Sequence, residues 1–99
     1  MKTTKKQFEL FQDEFTKWQV KFELSHYRID FYLKDIESRA CIKIDNYGKC
    51  AAVTLHNSWK ELDPITEYKV KDAAKHEAIH LLLSRFSDLA ESRYIQEDE

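Results

Sequence analysis

Residues 75–83 read KHEAIHLLL and hold two of the chain's four histidines, His76 and His80, with Glu77 directly after the first. On an α-helix, residues four apart lie one above the other, about 5.4 Å along the axis, so both imidazoles can aim at one point. Zn²⁺ takes His nitrogens at roughly 2.0–2.1 Å, and two such ligands fill half a tetrahedron. Glu77, at the edge of the same face, can reach a water on that ion without binding the ion itself. A zinc cofactor there would bring the pKa of its water to about 7 and polarise a carbonyl oxygen. Glu77 would take the water's proton and hand it to the leaving amine. The spacing therefore predicts zinc-dependent hydrolysis of an amide, most simply a peptide bond. The plain alternative is a helix with two exposed or hydrogen-bonded imidazoles and no metal.

This chemistry needs a helix, and the flanking sequence predicts one. Asp63 and Pro64 suit an N-cap and a first helical residue, and nothing breaks the pattern from Ile65 to about Phe86. Val70, Ala74, Ala78, Leu81, Leu82 and Phe86 form its apolar side. "SDLAE" reads as the start of a short final helix, with Asp88 capping and Glu91 three residues on. Upstream, Phe8, Phe11, Phe15, Trp18 and Phe22 recur at helical spacing within residues 4–23, a helix that packs on the core. Residues 26–36 alternate, with Tyr27, Ile29, Phe31 and Leu33 on one face. "RACIKID" and "CAAVTLH" alternate as well, around the turn signal "DNYGK", where Gly48 is suited to positive φ. The expected fold is α+β: an N-terminal helix, a three-stranded antiparallel β-meander, the HExxH helix and a short C-terminal helix.

The 99 residues allow one domain, 1–99, with one modest core. At 42% hydrophobic and 34% charged, the composition is that of a soluble globular protein. A formal charge of -2 argues against a general nucleic-acid binder. Lys2, Lys5 and Lys6 at one end and Glu97, Asp98 and Glu99 at the other read as solvated runs. No secretory signal or membrane-length apolar stretch is visible, which predicts a cytoplasmic protein. Cys41 and Cys50 lack CxxC spacing; a bond between neighbouring strands is conceivable but uncommon in that compartment. One glycine cannot build a phosphate loop.

The stretch "TEYKVKDAAKHEAIHLLL", preceded by "CAAVTLHNSW", resembles the core of a zincin metallopeptidase. It is similar to the minimal single-domain gluzincins and to small zincin-like proteins of bacteria and their phages. The likeness covers residues 26–95 in outline, and the HExxH helix is its one specific motif. It implies that His76 and His80 are metal ligands, that Glu77 is the general base, and that residues around Val53–His56 form a substrate-facing edge strand.

A catalytic zinc takes a third protein ligand. The metzincin extension is absent, because Leu83 and Phe86 stand where its Gly and His would be. In the gluzincin manner, a Glu would come from a following antiparallel helix. If that helix begins near Asp88, the level of His80 falls near residue 94, bracketed by Glu91 and Glu97. Glu91 is the favoured metal ligand and Glu97 the next. The abrupt ending "IQEDE" reads either as a chain cut short or as a member lacking that ligand. His56 and Tyr94 are weaker site candidates, better read as a strand-end histidine and a packing tyrosine. Trp59 reads as core, and His26 carries no constellation. Three functions compete: a zinc metallopeptidase acting on a protein or peptide substrate; a non-catalytic zincin-fold module, such as a phage or bacterial regulator, that binds a protein; and an ordinary helical adaptor with no metal.

Overall fold

The computed structural model describes residues 2–59 and 65–97, with side chains as far as Leu89. In chain order it has helix α1 (Lys5–Lys21), strands β1 (Arg28–Lys34), β2 (Ala40–Asp45) and β3 (Cys50–His56), and helix α2 (Glu67–Glu97). The α+β class is as expected. The caps proposed at Asp63 and Pro64 lie outside the described residues.

Helix α1 starts at a capping box. The Gln7 amide N–H donates to Thr4 Oγ1, and the Thr4 N–H donates to Gln7 Oε1. Its aromatic stripe is core: Phe11 and Phe15 are fully buried, and both meet Phe31 of β1 edge to face. Fully burying such a ring is worth about 1.5–3 kcal/mol. The chain leaves α1 through Glu23 at φ 59°, and the buried Gln19 side chain donates to the Leu24 and Tyr27 carbonyls to hold that exit.

The sheet differs from the expected meander. Its order is β1-β3-β2, with β1 parallel and β2 antiparallel to β3. It is therefore mixed, with β3 in the middle. The outward residues account for this. β1 presents Arg28, Asp30, Tyr32 and Lys34, and β2 presents Cys41, Lys43 and Asp45, while β3 presents only Ala52 and Thr54 between its ends. Charged side chains suit edges, where they discourage further pairing. Thr54 is buried along with Ala51, Val53 and Leu55, as a central strand requires.

In the β2–β3 turn, Lys49 rather than Gly48 has positive φ, at 54°. Gly48 gives room: its N–H donates to Asp45 Oδ1, and a Cβ there would stand 2.6 Å from Asp45 Oδ2, so the carboxylate would have to shift. Cys41 lies opposite Thr54 and Cys50 opposite Asp45, about 13 Å apart along the ladder, so both thiols are free.

Helix α2 is the second departure. It runs without interruption from Glu67 to Glu97, and the expected break before Asp88 does not occur. Asp88 lies inside the helix and caps nothing. The signal at 87–91 is a local preference, and Asp tolerates a helix interior at modest cost. The Thr66 hydroxyl accepts from the Lys69 N–H at the helix start. Among the described residues, no helix is long and apolar enough to cross a membrane.

Candidate metal centre

Four fully buried residues, Val70, Ala74, Ala78 and Leu81, fix the rotation of α2 against the core. At about 100° per residue, His76 and His80 then fall on the flank beside β2, with Glu77 between them and the interior. Both histidines are exposed, whereas Glu77 is only 4% exposed.

The imidazoles converge. The two Nε2 atoms stand 3.0 Å apart, with the rings at 81° to one another. Two nitrogens on one tetrahedral zinc would stand about 3.3–3.4 Å apart at ordinary bond lengths. The observed separation is within a few tenths of an ångström of that, and it also suits a hydrogen bond when one ring alone carries the shared proton. Ligand atoms of His76, Glu77 and His80 all lie within 4.8 Å of one another, so the group could hold a metal ion. Glu77 Oε2 adds an independent sign: it is buried and has no hydrogen-bond partner among the described residues. Leaving such an atom unmatched costs about 1–3 kcal/mol or more, and a cation or a water held by one would satisfy it. Burial pushes the Glu77 carboxyl above its ordinary 4.5, and first His80, then His76, pull it back.

A groove of about 640 Å³ runs along this group. Its walls are Ala40, Ile42 and Ile44 of β2 and His76, Glu77, His80 and Ser84 of α2. Since β2 lies at the end of the sheet order, the strand beside the site is β2. The expected edge around Val53–His56 belongs instead to the central strand. The parallel pairing of β1 with β3 covers the edge of β3 that a meander would have left free.

The remaining sequence candidates separate cleanly. His56 Nδ1 accepts from the Ser58 N–H at 2.9 Å, and its Nε2 lies 3.4 Å from Asp35 Oδ1. His26 Nε2 meets Arg85 Nη1 at 2.9 Å. Trp59 is buried core, as read. Glu91, Tyr94 and Glu97 have side chains outside the described residues, but their backbone continues α2 itself. Glu91 thus lies about 16 Å beyond His80 along one axis, and among the described residues no returning helix carries it back. Sequence reasoning missed a link between the β2–β3 turn and α2. Tyr27 Oη donates to Asn46 Oδ1, and Asn46 Nδ2 donates to Ser84 Oγ. A serine four residues after His80 was the only available hint.

Comparison of the chain with family models, with curated proteins and with solved structures finds no match.

Proposed function

We propose that this chain is a zinc-dependent peptidase of zincin type, with His76 and His80 as metal ligands and Glu77 as general base. The observation that carries the reading is the convergence of two Nε2 atoms 3.0 Å apart beside a buried, unpartnered carboxylate oxygen. A bound zinc supplies Lewis-acid polarisation and an acidified water. The chain supplies the rest. Burial raises the proton affinity of Glu77, the direction that favours a carboxylate acting as a base. The open edge of β2 offers backbone N–H and C=O groups to an extended peptide in the groove.

One observation favours a second reading, a non-catalytic metal-binding module that docks a protein. Among the described residues the metal group consists of His76, Glu77 and His80 alone. If Glu77 itself completes the protein ligands, no base remains. Glu77→Gln distinguishes the two. In a peptidase the variant keeps its zinc and loses cleavage of an unstructured substrate such as casein. In the module, zinc affinity falls with the substitution and the wild type cleaves nothing.

A further inference from the structure

We infer that the Ser84 hydroxyl is a fixed hydrogen-bond donor that recognises a backbone carbonyl of a peptide lying in the groove, one helical turn beyond His80. The inference rests on the reading of that groove as a peptide site beside a metal.

The direction of the hydrogen bonds follows from their lengths. Tyr27 Oη and Asn46 Oδ1 are 2.6 Å apart. That is ordinary for O–H···O and too short for N–H···O, so the tyrosine donates and the amide oxygen accepts. The Asn46 amide is thereby held with its NH₂ toward Ser84, 2.8 Å away. Ser84 Oγ must accept that bond, since an amide NH₂ only donates. The serine's single proton is then directed elsewhere, and among the described residues it meets no acceptor. A helical serine commonly donates to the carbonyl four residues earlier, but no such bond to His80 is present. Ser84 lies on the wall of the groove with His76, Glu77 and His80. At seven residues from Glu77 it shares that residue's helical face, about 10 Å further along the axis.

An extended peptide advances about 3.3 Å per residue, so three residues reach from the metal group to this hydroxyl. The neighbouring wall is apolar, with Ile42 and Ile44 of β2. The acceptor that every residue of a peptide carries, whatever its side chain, is the backbone carbonyl. Tyr27 and Asn46 are positioning residues in this scheme. Tyr27 is 3% exposed and stays out of the groove's lining.

The test uses the zinc-loaded 99-residue chain and three probes: acetohydroxamate, and an Ala-Leu-Ala tripeptide with a hydroxamate either at its carboxyl end or, through a malonyl group, at its amino end. Calorimetry on wild type, Ser84→Ala and Ser84→Thr reads the dissociation constants. Loss of one neutral hydrogen bond corresponds to a weakening of about five-fold. Ser84→Ala is expected to weaken whichever tripeptide polarity extends toward the C-terminal end of α2 by that factor. Acetohydroxamate binding stays unchanged, and Ser84→Thr, which keeps the hydroxyl, restores the tripeptide. Unchanged affinity for both tripeptides, or an equal loss on acetohydroxamate, overturns the role of Ser84 and leaves the metal centre standing. Failure of every hydroxamate to bind wild type overturns the metal reading and this one with it.

Discussion

The four histidines form two pairs with opposite circumstances. His26 and His56 are each met by the fold, one by Arg85 and the other by the Ser58 amide and Asp35. Among the described residues, His76 and His80 meet only each other, next to a buried carboxylate whose Oε2 has no partner there. All four are polar rings on a small domain, yet the structure answers the needs of two and leaves the other two with capacity to spare. Where folding leaves a buried polar atom unmatched, something outside the chain is expected to match it.

The contrast can be broken most sharply at Glu77. Glu77→Gln is expected to lower peptide hydrolysis by about 10²–10⁴-fold, the usual contribution of a general base, while zinc content by metal analysis stays at one per chain. Residual cleavage near the wild-type rate would remove Glu77 from the chemistry. Next in size is the metal itself. At zinc one hundred times its dissociation constant, binding adds about 2.7 kcal/mol of stability. Each kcal/mol moves the melting temperature of a domain this size by roughly 4–8 °C. Strong chelator is therefore expected to lower the transition by on the order of 10 °C, and His80→Ala should be insensitive to it. An unchanged melting temperature in wild type counts against a tight site, and equal zinc in wild type and His80→Ala ends the assignment.

A smaller effect lies in the pH dependence of the metal-free protein. The Glu77 carboxyl is raised in the fold, so between its ordinary value and its folded value the native state binds more protons than the unfolded chain. Stability therefore falls as pH rises from 4.5 through the folded value, and it is regained on acidification. Glu77→Gln lacks this slope, so denaturant titrations of the two apo proteins should diverge toward neutrality and converge near pH 4.5. Parallel curves would show that the buried carboxylate costs nothing. The smallest effects belong to the satisfied pair. His26→Ala should leave zinc content unchanged, and His56→Ala should do so with about 1 kcal/mol of lost stability, the range of one hydrogen bond. Zinc loss in either would erase the distinction between the pairs.

Much of this was legible in the sequence. The aromatic spacing of α1 and the alternation of residues 28–34 are periodic signals, and the structure follows them. The convergence of His76 and His80 needs only a helix at that position, so four-residue spacing was enough. The sheet order was harder. Alternation tells which side chains share a face and is silent on which strand is the neighbour. The uncharged outward residues Ala52 and Thr54 were the available clue that β3 sits between two charged edges. The cap-like Asp88 misled because a local motif competes with continuation of the helix, and continuation prevailed.

The sequence by itself determined the helix, the Val70–Leu81 part of its buried stripe and the one-turn spacing of two imidazoles around a carboxylate. All of these are local consequences of 3.6 residues per turn. Phe86, expected on that stripe, is 59% exposed because the core ends before the helix does. Tertiary structure decided that β2 forms the other wall of the groove and that Glu77 is buried with an oxygen unmatched. It also decided that Tyr27, Asn46 and Ser84 meet. These depend on contacts between residues 19 to nearly 40 positions apart. Such contacts form only when the competing pairings of the whole chain have been settled, and no local period encodes them.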